Sequence, residues 1–359
     1  MTLVSTLMQP LRTKYAPKTM DQNEVRPSRY GAWDFFQKQS NLKGGILSDE
    51  AKKFIDRSAG NTVVIPVLNA DDVEISNVRS CTIEADDETS ALVTLTFATY
   101  SFGFTMTPAR HFNNDIGYQD LFNHKLEQYL LKLAATLDSA SVATLDAARN
   151  VYWPAQITKY YPQVNNALQV GQDQRNDFFN NLEAILMEMD YYGDVNIIGS
   201  TSLQPMLNRL SAQGGGNATN ENFQFDLYKW NFTNRLLNGD NVQSTLYTCR
   251  DGSVATRNRN TPDNIAKSRI GPTDAPLKEW GEQQMPIVNL NMGTFYTRDC
   301  ADQSALDGGG ARMTQLQRSM VEGFAFDTDI CFVTAYNSDP ATKFEPITKA
   351  EISLADAAA

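Results

Sequence analysis

Histidine is almost absent from this chain of 359 residues, which contains only His111 and His124. Neither has an evident zinc-binding partner or nucleophile in the sequence, so both are interpreted as structural or solvent-facing side chains. The chain also lacks the patterns HExxH, GxSxG, GxxxxGKS/T and GxGxxG, which set metal ligands, a nucleophilic serine or phosphate-binding amides at fixed spacings. These absences argue against an enzyme, and we expect no catalytic residue, metal or cofactor.

Cysteine and long apolar runs are also scarce. A chain of this length needs no disulfides to fold, so we expect reduced and mostly buried thiols. No stretch approaches the roughly 18 apolar residues that cross a bilayer, and the N-terminus lacks the pattern of a secretory signal. The sequence therefore predicts a soluble protein that stays in a cytoplasm. The four cysteines, among which no CxxC pair occurs, are Cys81, Cys249, Cys300 and Cys331.

Positive charge is in deficit, since the net charge is −11. Affinity for nucleic acid comes mainly from Lys and Arg neutralising phosphates, so this charge disfavours non-specific binding to DNA or RNA. The segment RNRN, residues 257–260, lacks interleaved aromatic side chains and is interpreted as an exposed loop. The segment DTDIC, residues 327–331, lacks the later ligands and the glycine of a calcium loop. The glycine triplets at 214–216 and 308–310 are interpreted as flexible loops.

The first 45 residues show no sustained hydrophobic period and are predicted to form a structureless basic arm. Only Asp21 and Glu24 offset the positive charge of its first 30 residues. The basic residues of this arm are Arg12, Lys14, Lys18, Arg26 and Arg29. A short helix follows, with Ser48 as N-cap, acidic residues in its first turn, basic residues near its end and Gly60 after it.

Residues 61–107 have a period of two and predict a long two-stranded hairpin. Pro66 cannot donate to a ladder, which places its strand at a sheet edge. Residues 73–85 and 91–106 are predicted to pair, with a bulge or twist where the apolar phase slips between Phe97 and Tyr100. The region of the hairpin tip is strongly acidic, with only Arg79 as counter-charge. The acidic residues there are Asp71, Asp72, Glu74, Glu84, Asp86, Asp87 and Glu88.

Residues 118–150 carry a nearly uninterrupted helical pattern. Its apolar stripe recurs at i, i+4, i+7, i+11 and i+14, and a helix of this length spans about 45 to 50 Å. Because the stripe is not a sustained heptad repeat, the expected partner is a sheet and not a second helix. The stripe consists of Leu126, Leu130, Leu133, Leu137 and Ala140.

The remainder predicts a lobe of helices and strands. Residues 174–190 form an amphipathic helix, 195–200 a buried strand and 201–212 a second helix. The loop-rich segment 250–286 has too many turn residues for long elements. Two strand patterns follow in the segments PIVNLNMGTFYTRD and GFAFDTDICFVTAY.

This order of elements resembles the major capsid proteins of tailed bacteriophages, which have the Hong Kong 97 fold. The most telling stretches are GNTVVIPVLNADDVEISN, similar to the entry of that family's extended loop, and NNDIGYQDLFNHKLEQYLLKLAATLD, similar to the run into its spine helix. The resemblance implies an α+β fold: an N-terminal arm, an extended β-hairpin loop, a peripheral domain with a long spine helix, and an axial α/β domain. The implied bounds are 1–60 for the arm and short helix, 61–107 for the extended loop, 108–160 with 320–359 for the peripheral domain, and 161–319 for the axial domain.

The resemblance also implies a function and partners. Copies would assemble into pentamers and hexamers of an icosahedral shell that encloses double-stranded DNA without sequence-specific binding. The shell would assemble in the host cytoplasm, with a portal protein and a separate scaffold protein. No lysine lies between Asn61 and Thr107, so the lysine–asparagine crosslink of some family members cannot form in its usual manner. Stabilisation would be non-covalent or come from a decoration protein.

The acidic tip and the basic arm are the predicted contacts between subunits. An isolated long hairpin is at best marginally stable, so it should lie on another subunit, with its acidic tip on a basic surface such as a neighbour's arm. Neutralising Asp86, Asp87 and Glu88 together is therefore expected to impair assembly. Measuring particle yield checks this expectation, and an unchanged yield would refute it.

Three rival interpretations remain open at this level. The first is an encapsulin-like nanocompartment, which shares the fold and encloses enzyme cargo. The second is an α/β enzyme with a site in residues 250–283. The third is a tail or connector component that forms rings or tubes.

Overall fold

The structure is a computed structural model and describes residues 3–15, 30–42, 45–58, 60–68, 90–108, 117–189, 194–206, 228–236, 238–260, 278–302, 318–341 and 343–355. No helix in these ranges is both long and apolar enough to cross a membrane. The helices are α1 (Leu3–Leu7), α2 (Gln9–Tyr15), α3 (Gly31–Ser40), α4 (Asp49–Arg57), α5 (Tyr118–Ala147), α6 (Ala155–Tyr160) and α7 (Arg175–Met187). The strands are β1 (Thr62–Leu68), β2 (Ser90–Thr96), β3 (Ala98–Met106), β4 (Gln163–Val164), β5 (Ala167–Val170), β6 (Val195–Ser200), β7 (Tyr228–Thr233), β8 (Val242–Arg250), β9 (Val254–Arg259), β10 (Lys278–Met285), β11 (Leu290–Asp302), β12 (Arg318–Thr334) and β13 (Ile347–Ser353).

These strands form three sheets, and the fold is α+β. A five-stranded antiparallel sheet has the order β10-β11-β12-β3, and β9 pairs with the far end of β12. A six-stranded mixed sheet has the order β4-β5-β13-β8-β6-β7. The third sheet is the antiparallel pair β1-β2.

The long helix α5 lies on the five-stranded sheet, as its apolar stripe predicts. Leu126, Leu130 and Leu137 are fully buried there and share a core with Phe104 of β3 and Phe324 of β12. Ala140 is only partly buried, and the buried side of α5 continues instead through Ser141 and Leu145, both 0% exposed. At 30 residues, α5 is about 45 Å long, which is long enough to cross the whole sheet.

Helices cover both faces of the six-stranded sheet. Helices α6 and α7 bury one face through Phe178 and Leu182, while α3 covers the other with Phe35 and Phe36. Helix α3 begins so close to β7 that a Cβ on Gly31 would lie 2.3 Å from the carbonyl oxygen of Phe232. Glycine is therefore required there, and α3 forms a shared layer between the two larger sheets.

Several local predictions are confirmed. The hydroxyl of Ser48 accepts a hydrogen bond from the Ala51 amide at 3.1 Å, which caps α4. Helix α7 and the fully buried strand β6 lie where their patterns place them. The strand is interrupted at Phe97, within the predicted phase slip, and the Phe97 amide donates to the Asn61 carbonyl at 2.8 Å.

The predicted structureless arm is wrong where the structure describes it. Residues 3–15 form α1 and α2, and residues 31–40 form α3. Their apolar side chains are buried against the body, as Met8 and Trp33 show at 0% exposure. Short helices of this kind form through tertiary packing, which leaves no long period to detect in the sequence.

Two predictions about strands are also wrong. Residues 91–106 do not form one return strand, because β2 pairs with β1 whereas β3 joins the five-stranded sheet beside β12. The described part of the segment 250–286 contains β9 and the eight-residue strand β10, although its turn residues predict no long element. Its RNRN segment lies in β9 and at its end, where pairing with β12 buries Arg259.

The two larger sheets cross the predicted domain boundaries. Strand β13 lies within residues 320–359 but belongs to the six-stranded sheet beside β5 and β8. Strands β10 and β11 lie within residues 161–319 but belong to the five-stranded sheet. Each sheet is therefore assembled from segments far apart in the sequence.

Candidate assembly surfaces

Of the predicted contact residues, only Arg12 and Lys14 lie within the described ranges, and both contact their own chain. Arg12 donates to the Gln283 side-chain oxygen at 2.7 Å and to the Gln284 carbonyl at 3.3 Å. Lys14 pairs with Glu127 of α5 at 2.8 Å. The other predicted contact residues lie outside the described residues: Lys18, Arg26, Arg29, Asp71, Asp72, Glu74, Glu84, Asp86, Asp87 and Glu88.

The pair β1-β2 has two different faces. Its inner face is anchored, because Val63 and Leu95 are 3% and 6% exposed and pack with Ile55 of α4 and Val333 of β12. Its outer face is open and carries apolar residues beside threonine and serine. Pro66 lies directly across from Leu92 on that face, with Val64 two residues away.

The open face is a small apolar patch that the described residues leave uncovered. Leu92 is 74% exposed and Val64 is 44% exposed. Single exposed apolar residues are common on protein surfaces, but a contiguous group on an extended two-stranded sheet indicates a contact surface. We call Val64, Pro66 and Leu92 the outer hairpin face.

Arg259 holds the base of this hairpin to the five-stranded sheet. It is 7% exposed, and its guanidinium donates to the carbonyl oxygens of Ser58 at 2.8 Å and of Gly60 at 2.6 Å. The guanidinium carbon lies 4.0 Å from the centre of the Phe97 ring, a cation–π contact. Its Nε atom lies 3.6 Å from Asp329 Oδ2. Arg259 therefore joins both strands of the hairpin to β9 and β12.

Asp329 of the DTDIC segment completes this junction. The carboxylate is 1% exposed and accepts a hydrogen bond from the Thr99 hydroxyl at 2.7 Å. A buried carboxylate needs a counter-charge, which Arg259 supplies. The two residues are 70 positions apart in the sequence, so no local motif predicts their pairing.

A second buried carboxylate, Asp138, lies in the middle of α5. It is 0% exposed and accepts hydrogen bonds from the amides of Ala32 and Trp33, each at 3.0 Å, and from the Thr233 hydroxyl. These amides belong to the first turn of α3, whose N-cap residue Tyr30 makes no side-chain cap. Asp138 therefore supplies from another helix the cap that α3 lacks.

The pKa of Asp138 is raised above its usual range, because burial outweighs the three donors that lower it. Sequence analysis missed this residue, although a signal was present. Asp138 follows Leu130 and Ala134 at intervals of four, which places a carboxyl on the apolar side of α5. A charged residue at such a position is buried with partners or leaves the face.

Two of the four cysteines agree with the prediction of buried thiols. Cys249 and Cys331 are free and buried. Burial raises the pKa of Cys331 to about 11 and raises that of Cys249 as well. Both therefore stay protonated near neutral pH, where thiols are poor nucleophiles.

Comparison with known proteins gives matches among solved structures alone. No family model matches the chain, and no curated protein matches it. The chain is similar to a structure from Mycobacterium phage Che8, with 9% identity and a TM-score of 0.47 over 85% of this chain and 88% of that one. It is also similar to a chain of the mature capsid of bacteriophage PhiM1, with 10% identity and a TM-score of 0.44 over 82% and 83% of the two chains.

A third similar structure is the capsid of Ralstonia phage GP4, with 10% identity, a TM-score of 0.43 and coverage of 84% of this chain and 86% of that chain. Solved phage structures are thus among those similar to the chain. At these identities, the comparison assigns no role to any individual residue.

Proposed function

We propose that this chain is the major capsid protein of a tailed bacteriophage, with a fold of the Hong Kong 97 type. Copies assemble into pentamers and hexamers of an icosahedral shell that encloses double-stranded DNA. The observation that carries this proposal is the outer hairpin face, which is apolar and uncovered on a sheet of two strands. The role of the chain is structural, and no chemistry is assigned to it.

The physical argument concerns the stability of this sheet. A two-stranded sheet is marginal in water unless further strands or another surface cover it. Here the inner face is anchored by its own chain, whereas the described residues leave the outer face open, so contact with another molecule would add apolar burial there. Repeated in every subunit, one such overlap gives many weak contacts that together hold a closed shell.

In this proposal α5 is the spine helix across the five-stranded sheet, and the six-stranded sheet with α6 and α7 forms the axial lobe. Residues 61–107 form the extended loop, and the basic residues between positions 16 and 29 belong to the N-terminal arm. The acidic residues between positions 71 and 88 contact basic surface on a neighbouring copy. These assignments follow from the order of elements along the chain and give each element a place in the assembled shell.

The proposed partners follow from the same function. The chain contacts mainly copies of itself, and a separate scaffold protein, a portal protein and a decoration protein complete the shell. Assembly occurs in the host cytoplasm, and the final location is the virion capsid. The net charge of −11 suits an interior that must hold DNA without binding it tightly.

Size-exclusion chromatography and electron microscopy of the full chain, alone and with candidate scaffold proteins, test the proposal. We expect closed particles made of rings of five and six copies. Particles isolated from infected or producing cells should contain double-stranded DNA, whereas enzyme cargo without DNA would indicate an encapsulin-like shell. A chain that stays monomeric under every condition would contradict both functions.

The outer hairpin face gives a specific prediction. The double variant V64K/L92K places two charges on this face, and we expect particle yield to fall at least tenfold. The free subunit should keep its stability within about 0.5 kcal/mol, because both side chains are exposed. Yield is measured by sedimentation and electron microscopy, and subunit stability by urea unfolding.

The matched control is V151K/L354K, which adds the same charges at apolar side chains that are 45% and 55% exposed away from the hairpin. It should keep most of the yield. Equal yields from V64K/L92K and the unaltered chain would show that the outer hairpin face has no role in assembly.

A further inference from the structure

The proposed function has not used a groove between α6 and α7. The groove has a volume of about 440 Å³. Its floor is apolar, because Ile157 and Tyr161 of the α6 region and Ile185 of α7 are each less than 7% exposed. Tyr160 forms one wall and is 69% exposed. An apolar floor beside an exposed aromatic side chain favours an apolar occupant.

The charge of this α6–α7 groove is entirely negative. Asp177 and Glu188 line it from α7, and both are exposed without an ion-pair partner among the described residues. They are separated by three turns of helix, about 16 Å. Gln174 also lines the groove, and its side-chain oxygen is buried without a hydrogen-bond donor. An occupant with N–H donors and positive charge would satisfy all three groups.

The complementary surface lies on α4 of the same chain. Phe54 is 56% exposed there, although it is large and apolar. Lys53 and Arg57 flank it and are exposed, and neither pairs with a carboxylate in the ranges that the structure describes. They are four residues apart and lie on the same side of α4, and their long stems let the two cationic groups reach apart along the helix axis. We call these three residues the α4 knob.

We propose that the α4 knob of one copy docks in the α6–α7 groove of the next copy. Phe54 covers the apolar floor, while Lys53 and Arg57 face Asp177 and Glu188. This inference rests on the proposed function and names one contact within the shell. A second copy is the occupant because the two surfaces complement each other in charge and are present in equal number on every subunit.

The symmetry of this contact agrees with a shell. The knob packs beside the hairpin base, through Ile55, whereas the groove lies on the six-stranded sheet. Two different surfaces therefore meet, which makes the contact head-to-tail. A head-to-tail contact closes into a ring when the rotation between copies allows it, as a pentamer or hexamer requires.

Charge reversal tests the contact. The variants K53E/R57E and D177K/E188K should each lower particle yield at least tenfold, because like charges then face each other. The fourfold variant K53E/R57E/D177K/E188K restores opposite charges and should recover yield to within threefold of the unaltered chain. Urea unfolding of each free subunit checks that the fold is retained.

A matched control separates this contact from a general effect of charge. The variant K53E/R57E/E183K/D240K has the same net charge as the fourfold variant, but its new lysines lie outside the groove, and its yield should stay low. Loss of yield from the groove variant alone would indicate a different occupant and overturn the proposal. Full yield from both K53E/R57E and D177K/E188K would overturn it as well. The proposed function would stand in that case, because particles still form.

Cross-linking gives an independent measurement. In assembled F54C/A184C, oxidation with diamide should join copies into a ladder of dimers and larger multimers on a denaturing gel, because each copy donates one cysteine to each neighbour. The single variants F54C and A184C should give no ladder. Dimers alone, or no cross-linked product in assembled particles, would overturn the head-to-tail contact.

Discussion

Replacing Asp138 by alanine is expected to lower the free energy of unfolding by about 3–5 kcal/mol, one of the two largest effects that we predict. The change removes the acceptor of two amides in the first turn of α3 and of the Thr233 hydroxyl. These donors are buried, so water cannot replace the carboxylate without entering the core. Urea unfolding of the unassembled subunit measures the loss.

The variant Asp138→Asn is the matched control, because it keeps the size of the side chain and one acceptor oxygen. Its free energy of unfolding should fall by less than that of the alanine variant, and α3 should remain folded. If alanine costs no more than about 1 kcal/mol, within the range of an ordinary exposed helix cap, then Asp138 does not secure α3 in the manner proposed.

The raised pKa of Asp138 adds a dependence on pH. The folded-state pKa lies above the unfolded value near 3.8, so the folded state binds the proton more tightly. The stability that this group contributes is therefore complete below the unfolded pKa and declines as the pH rises through the folded pKa. Since asparagine does not titrate, the stability advantage of the unaltered chain over Asp138→Asn should shrink between pH 4 and pH 7. A difference that grows over this interval would contradict the raised pKa.

Local signals account for the elements that the sequence predicts well. The cap at Ser48 and the stripe from Leu126 to Leu137 depend on residues three or four positions apart, so their patterns are legible without knowledge of the fold. The break near Phe97 is visible because a change of apolar phase must change the face that a strand buries. These elements include α5 and the hairpin base.

The parts that could not be predicted depend on distant contacts. Helices α1 and α2 are too short to form alone and are stabilised by packing against α5. The second half of β9 is an unbroken run of polar residues, which is typical of an exposed loop. Arg259 is nevertheless buried, because Asp329 and the carbonyls of Ser58 and Gly60 surround it. The RNRN segment by itself does not predict partners that lie about 70 or 200 positions away in the sequence.

The same distance in sequence between contacting segments explains why the two larger sheets cross the predicted domain boundaries. The resemblance implies that residues 320–359 belong to the same domain as α5, and β12 lies in the sheet under that helix. Strand β13 instead enters the six-stranded sheet between β5 and β8. Since each sheet combines strands that are far apart in the sequence, the two lobes are expected to unfold together and not as independent domains.

Replacing Arg259 by alanine is the second change with a large expected effect. Removing one partner of a buried ion pair leaves Asp329 charged and uncompensated, which costs about 3–5 kcal/mol. The carbonyls of Ser58 and Gly60 also lose their donor. The loss should be localised, so hydrogen exchange should accelerate most in β1 and β2, and particle yield should fall because the hairpin is no longer held in one orientation.

The strand β9 supplies its own control for this experiment. Arg257 lies two residues before Arg259 and pairs with Asp56, but both side chains are partly exposed, at 32% and 40%. An exposed pair of this kind contributes about 0–1 kcal/mol, so Arg257→Ala should leave exchange in the hairpin nearly unchanged. Arg259→Lys keeps the charge but loses the planar fork and the stacking on Phe97. Its stability and its exchange rate in the hairpin should lie between those of Arg257→Ala and Arg259→Ala. Arg257→Ala and Arg259→Ala remove the same kind of side chain at nearby positions that differ in burial. Equal free energies of unfolding for these two variants would show that Arg259 does not hold the hairpin to the sheet.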